Sequence, residues 1–553
     1  MTHDMLRFLF LFPILLISLL VSGQTLSDDQ RAALTERLMK YIPEGGPGGA
    51  LGVVMGGEVV YAGYGGLADL DTETPIGPET HFNIASCAKQ FTALSVLRLA
   101  REGKLKLTDD IRQYFPELYP EVREPITVNH LLTHTSGIRD MNSLWSLQGV
   151  TWWQQTLNNQ DVLKLLRSQQ ELNFPPGSQH NYSNSNYVLL AELVARVSGQ
   201  SFREYTTELF TDLGMTNTVF MDDHTMKLPN LARPYFSFDT WTTYEWLSDM
   251  VGDGALFSTL PDQLRWEATL MRGQSEGVAK ELLATSQAAI FPEVTGYGYG
   301  LERGKYRGLP ITYHEGSTGA WKASFIRFVD HDLTIVAMNN SGKFGTQRLV
   351  YDAADMLLEE AFTAPRFLQE PASVAEEIPV DDLLGTYRLP SGFYFRFASR
   401  DAKVFLERHE RNPVEIELER GNVYHEIADP AFKQEFTRNE RGELQVTAYY
   451  WSHAPYTLTR SEIDLTDYDF RAMNGSFQNE ETGLAFSVQH QAEGKYQIHL
   501  GGEKLKGRLL GPDELLVQNY KLRAVRAADG SITELRLGDG NRIMNLRCVR
   551  VTK

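Results

Sequence analysis

The chain has 553 residues, 42% hydrophobic and 22% charged. That balance suits a soluble globular protein, argues against general disorder, and comes with more length than one hydrophobic core organises, so two to four domains are expected. The formal net charge of −18, with no Lys/Arg cluster to offset it, excludes nucleic acid as a natural partner and leaves neutral or cationic ones.

In chain order, Arg7 precedes a 14-residue apolar run from Phe8 to Val21, followed by small Ser22 and Gly23. This is the layout of a secretory signal, and the run is short for a membrane span. Residues 1–23 are expected to be a signal peptide and the protein to be exported, periplasmic or secreted; the competing reading is a retained anchor. No cysteine follows the run to accept a lipid. The only cysteines, Cys87 and Cys548, are expected as two separate buried thiols.

From Gly49, LGVVMGGEVVYAGYGGLADL reads as two strands joined at Gly-Gly. It leads to FNIASCAKQFTALSVLRLA, where Ser86 and Lys89 stand three residues apart at an expected helix start. Positions i and i+3 share a helix face, so the Lys89 amine can help remove the Ser86 proton. Helical patterns dominate from Asp109 to Ser258. There, His130 and His134 have i,i+4 spacing, but HLLTH lacks the glutamate of a metalloprotease helix, so no zinc is expected. The acidic group Asp69, Asp71 and Glu73 lacks the later ligands of a calcium loop and reads as a solvated turn.

After the Pro-Gly turn FPPGSQ, Tyr182-Ser183-Asn184 precede an amphipathic helix. Tyr182 can take the nucleophile's proton if nearby cations lower its pKa, and the Asn184 amide can hydrogen-bond substrate and Lys89. The bland readings are a packed aromatic and a helix cap. Gly273–Gly277 fits a Gly-x-Ser-x-Gly pattern but follows a helix rather than a strand, so chance explains it. Strand text returns from Gly296 to Asn340, including GYGYGLE and Tyr313-His314-Glu315-Gly316-Ser317. There a glycine lets substrate backbone approach and a main-chain amide can serve an oxyanion. A helix is expected from about Gly345.

Residues 364–380 read as a linker. Beyond it, Leu384-Gly385-Thr386-Tyr387 matches Asn474-Gly475-Ser476-Phe477, and Arg441-Gly442-Glu443-Leu444 matches Asp529-Gly530-Ser531-Ile532. The shared period predicts two tandem β-barrel-like domains, 381–462 and 463–553, behind a catalytic domain at 24–363.

Ser86/Lys89, Tyr182/Asn184 and His314/Gly316, in that order, resemble the Ser-x-x-Lys, Tyr-x-Asn and Lys/His-x-Gly motifs of the serine β-lactamase and penicillin-binding protein superfamily. Further resembling phrases are ITVNHLLTHTSGI, LGMTNT and GDGALFST, within about Leu34 to Phe362. More narrowly, the chain resembles the branch with class C β-lactamases, D-stereospecific aminopeptidases and β-lactamase-like esterases, and the paired barrels resemble those of D-aminopeptidases. The resemblance implies an α/β (α+β) catalytic domain with an antiparallel sheet flanked by helices and a helical subdomain. It implies that Ser86 is acylated, that Lys89 and Tyr182 shuttle its proton, that Asn184 positions substrate, and that main-chain N–H groups of Ser86 and Ser317 hold the oxyanion. His314 departs from the commoner lysine, which removes a permanent cation and lowers the expectation of β-lactamase activity. Glu315 is a candidate to attract a substrate amine, although strand alternation aims it opposite to His314.

The expected function is thus an exported serine hydrolase acting on small amides or esters, including peptides with D-residues, with no metal or cofactor. The alternatives are a β-lactamase, or a non-catalytic peptidoglycan- or ligand-binding protein on the same scaffold. The barrels are also candidates for assembling a homo-oligomer.

Overall fold

Gly56 and Gly57 both take positive φ (56° and 81°), the backbone that a two-residue hairpin turn requires. They join β1 (Gly49–Met55) to β2 (Glu58–Gly65). The computed structural model describes residues 25–551 except 152, 239, 288–295, 365–377, 390–392, 409–412, 451–452, 462–466, 493, 501 and 540–541. The expected signal peptide and most of the expected linker lie outside the described residues.

Four more strands, β3 (Glu302–Tyr306), β4 (Leu309–Thr318), β5 (Trp321–Phe328) and β6 (Leu333–Asn339), complete an antiparallel six-stranded sheet in the order β3-β4-β5-β6-β1-β2. One face packs on α1 (Asp28–Met39) and α10 (Thr346–Leu357) through Leu51, Val53, Ile326 and Ile335. The other packs on α2 (Lys89–Arg101) and α8 (Leu260–Arg272) through Ala50, Val54, Phe325 and Val336. Burial on both faces explains why these strands read as nearly continuous apolar runs. α8 is fixed to β5 by a buried bidentate pair, Arg327 Nε to Glu267 Oε2 at 2.5 Å and Nη2 to Oε1 at 2.8 Å.

The helical half contains α3 (Val128–Leu132), α4 (Met141–Leu147), α5 (Asn159–Arg167), α6 (Asn184–Ser198) and α7 (Phe202–Asp212), with α9 (Lys280–Ser286) following α8. Asp140 caps α4, its Oδ1 accepting from the main-chain N–H groups of Asn142 and Ser143. Gly273 ends α8 in the left-handed conformation, so the Gly-x-Ser-x-Gly stretch is a helix end and loop. The acidic turn carries an ion pair, Asp71 to Arg233 at 2.5 Å.

One expectation fails. Gly296–Gly300 in GYGYGLE forms no strand, and the chain turns at Gly300 (φ 74°), where a Cβ would lie 2.5 Å from Lys89 C. The stretch makes only an isolated bridge, Tyr297 to Glu302, and at Gly300 packs against the start of α2.

Behind this domain stand two closed antiparallel barrels of eight strands, running from Gly385–Arg388 to His453–Arg460 and from Gly475–Gln478 to Leu546–Arg550. The matched Gly385 and Gly475 open the first strand of each barrel. Among the described residues, no helix is long and apolar enough to cross a membrane. Cys87 and Cys548 are both free and buried.

Candidate active site

Ser86 sits on a single 3-10 turn, Ala85–Ala88, that feeds directly into α2. Ala85 is held at φ 47°, a conformation that a non-glycine residue adopts at a cost and that recurs where a turn must aim a side chain. Its amide donates to Asn83 Oδ1 at 2.9 Å. β4 lies hard against this turn: a Cβ on Gly316 would fall 2.1 Å from Ile84 O. Only glycine lets the strand approach so closely.

Lys89 is completely buried, and its three donors are all used. Nζ lies 3.1 Å from Ser86 Oγ, 3.0 Å from Asn184 Oδ1 and 2.6 Å from the Asp253 carbonyl. Burial pushes its pKa down to about 8, Asp253 opposing and Arg542 assisting. Asn184 opens α6, and its amide donates to Asp140 Oδ2 at 2.7 Å, so the position that binds Lys89 is itself braced.

Tyr182 hydrogen-bonds Ser86, and its ring centroid lies 5.0 Å from Lys89 Nζ. The sequence made Tyr182 an acceptor of the Ser86 proton only on the condition that nearby cations lower its pKa. Instead, burial raises it well above 10, outweighing the Ser86 hydrogen bond and the Arg542 charge. Its phenol is therefore neutral at physiological pH.

His314 is buried on β4, its pKa pushed down to about 3 by burial and by Lys89. Nδ1 lies 2.7 Å from the Glu315 carbonyl and Nε2 3.0 Å from the Tyr297 hydroxyl. Since a carbonyl only accepts, the proton is assigned to Nδ1 and Nε2 accepts from Tyr297. His314 is thus a neutral, fully engaged imidazole. Glu315 points to the other face of the strand, pairing across to Ser324, and its pKa is pushed up to about 7 by burial and the neighbouring Glu302.

Ser86, Tyr182, His314, Gly316 and Ser317 border one cavity of about 710 Å³. Beyond Tyr313 the edge of β4 has no β3 partner, which leaves the stretch with Gly316 and Ser317 open toward Ser86. His134, by contrast, is structural: its Nδ1 faces the Ser183 amide and the Asn186 side chain, both at 3.2 Å. His130 Nδ1 accepts from Thr127 N in a capping box, so neither histidine is arranged with the other as a ligand pair.

Three contributors escaped the sequence reading. The Asp253 carbonyl lies in the phrase GDGALFST, but any residue offers a carbonyl. Asp140 follows the phrase HTSGI without a motif of its own. Arg542, from the second barrel, borders the same cavity, approaches Asp140 Oδ2 at 3.3 Å and lies 5.6 Å from the Tyr182 ring centroid.

A sheet backed by helices, with a serine, a lysine and a tyrosine meeting at the edge of one strand, defines a β-lactamase-type fold. The chain belongs to the Beta-lactamase family, whose profile matches residues 32–358. Within it, the chain is 26% identical over 383 residues to a penicillin-binding protein of Bacillus subtilis (strain 168), covering 64% of this chain and 82% of that one. It is 29% identical over 318 residues to a D-aminopeptidase of Brucella anthropi, covering 55% of this chain and 58% of the enzyme. Among solved structures, an octameric penicillin-binding protein homologue from Pyrococcus abyssi aligns with a TM-score of 0.56 at 22% identity, over 78% of this chain and 99% of that one.

Proposed function

We propose that this chain is an exported serine hydrolase that cleaves small amides or esters, peptides with D-residues among them, through an acyl-enzyme on Ser86. The observation that carries the reading is the buried Lys89 amine, held 3.1 Å from Ser86 Oγ with its pKa near 8. Roughly a tenth of such amines are neutral at pH 7, enough to act as a base in fast equilibrium.

In this reading, neutral Lys89 takes the Ser86 proton as Oγ bonds to the substrate carbonyl carbon. The carbonyl oxygen becomes an oxyanion held by the main-chain N–H groups of Ser86 and Ser317. As the bond to the leaving nitrogen or oxygen breaks, the neutral Tyr182 phenol gives it a proton and takes one in turn from the Lys89 ammonium beside its ring. Water then attacks the ester carbon, its proton passing to Lys89, and Ser86 recovers a proton as the acid departs. Asn184 fixes Lys89 and contributes its amide to the substrate. The D-aminopeptidase and penicillin-binding protein relatives support amide chemistry.

The test is labelling with a fluorophosphonate. A covalent adduct that disappears in Ser86→Ala supports the hydrolase, whereas a folded wild-type protein that takes no adduct favours a non-catalytic binder.

A further inference from the structure

The two barrels meet at a cavity of about 760 Å³ that shares no residue with the one at Ser86. Strand alternation brings charge to it. In the first barrel, the strand Tyr394–Arg400 turns Phe395 and Phe397 into the core, so Arg396 and Arg400 share the outer face. Glu407 stands directly across from Arg396 on the next strand. In the second barrel, Tyr496 and Ile498 belong to the core, which leaves Lys495 on the outer face, directly across from Arg508, with Lys506 opposite Gln497.

Three arginines converge on one carboxylate. Glu407 Oε2 accepts from Arg396 Nη1 at 3.0 Å and from Arg508 Nη2, of the other barrel, at 2.5 Å, while Oε1 accepts from Arg400 Nη2 at 2.6 Å. Each guanidinium makes that one hydrogen bond among the described residues, and its remaining donors are available. Glu407 is the only acid among the described residues that borders the cavity. The other charges there are cations: Lys495 and Lys506, which make no ion pair among the described residues, and Arg408, which Glu426 meets at 3.3 Å behind the wall.

Like charges directly opposite on neighbouring strands repel, and Lys495 with Arg508 is such a pair. Burial, aided by Arg396 and Arg400, lowers the Arg508 pKa although Glu407 opposes. In a chain of net charge −18 this excess of cations is local, and it costs stability unless an anion offsets it. The walls are held in place beside the cavity as well as across it, since Arg388 of the first barrel donates to the Leu510 carbonyl at 2.5 Å and reaches Glu514 at 3.3 Å. A cavity of this size suits a small molecule. Guanidinium forks and ammonium groups approaching from two sides can surround a tetrahedral phosphate, whereas a planar carboxylate is already supplied by Glu407.

We propose that the cavity between the barrels is a binding site for a small phosphate-bearing anion, which Arg396, Arg400, Lys495, Lys506 and Arg508 hold and which clasps the two barrels together. The site is separate from the reaction at Ser86 and does not rest on it.

Titration calorimetry on the full-length protein at constant ionic strength tests this, with pyrophosphate as the probe and citrate, a polycarboxylate of comparable charge, beside it. One pyrophosphate per chain is expected to bind, at least tenfold more tightly than citrate, and to raise the melting temperature. Arg400→Gln combined with Lys506→Gln changes two exposed side chains and is expected to weaken binding at least tenfold, while Arg542→Gln leaves it intact. Absence of pyrophosphate binding would reduce the three arginines to a latch between barrels and overturn the proposal. Equal binding of the two anions, or binding that survives the double substitution, overturns it as a diffuse charge effect. Loss of binding in Arg542→Gln does so by placing the anion in the Ser86 cleft. Vesicles containing phosphatidylglycerol separate a lipid phosphate from a soluble one, and binding to vesicles alone also overturns it.

Discussion

At pH 6 nearly every Lys89 amine carries its proton, and by pH 9 most do not, because burial lowers its pKa to about 8. Deprotonation creates the base, so the rate of Ser86 labelling should rise with pH, with a midpoint near 8, and level off above it. A rate that is flat from pH 6 to 9 would remove Lys89 from the role of base. Lys89→Arg keeps a permanent cation and should slow labelling at least 100-fold at every pH, measured as the second-order rate constant. The residues of this site were legible in the sequence where chemistry resides in a side chain at fixed spacing: Ser86 with Lys89, Tyr182 with Asn184, His314 with Gly316. The Asp253 carbonyl was not, since it belongs to the backbone. Nor was the protonation of Tyr182, because burial, which the sequence does not display, outweighs the cations.

The elements that hold these residues leave little slack. Gly316→Ala would place a methyl group 2.1 Å from Ile84 O, forcing β4 off the Ser86 turn. Labelling should fall about 100-fold, with about 1–3 kcal/mol of stability lost, measured by rate and by denaturant titration. Gly304→Ala on β3, whose nearest neighbour would be Tyr313 Cε1 at 3.5 Å, should change neither appreciably. Glu267→Ala would leave Arg327 without the carboxylate that joins β5 to α8 and should cost about 3–5 kcal/mol by the same titration. Most elements could be read from pattern: the Gly56-Gly57 hairpin, the strand around His314, the helix from Thr346. Gly296–Gly300 could not. Alternating aromatic and glycine looks like a strand, but Gly300 serves a close approach to α2, a tertiary demand that local pattern does not reveal.

The whole molecule is joined at the second barrel. Glu481 Oε2 lies 2.6 Å from Arg139 Nη1, and its Oε1 accepts from the amides of Gln170 and Glu171. Apolar residues of this barrel, from Met473 to Cys548, belong to the same core as α2 and α6. Glu481→Ala should therefore cost about 3–5 kcal/mol, seen as a lower melting temperature. A chain ending at Thr363 should aggregate rather than remain a stable catalytic domain, which light scattering would show. The tandem repeat announced two barrels, but nothing in it distinguished the one that reaches the cleft, because docking depends on a few loop residues and not on the strand period. Arg542 and Asp140 are 402 residues apart in sequence, and their meeting has a consequence for biogenesis. A chain emerging from the ribosome displays Ser86 long before the opposite wall of the cleft exists, so the finished cavity is withheld until the distal barrel has closed and seated itself.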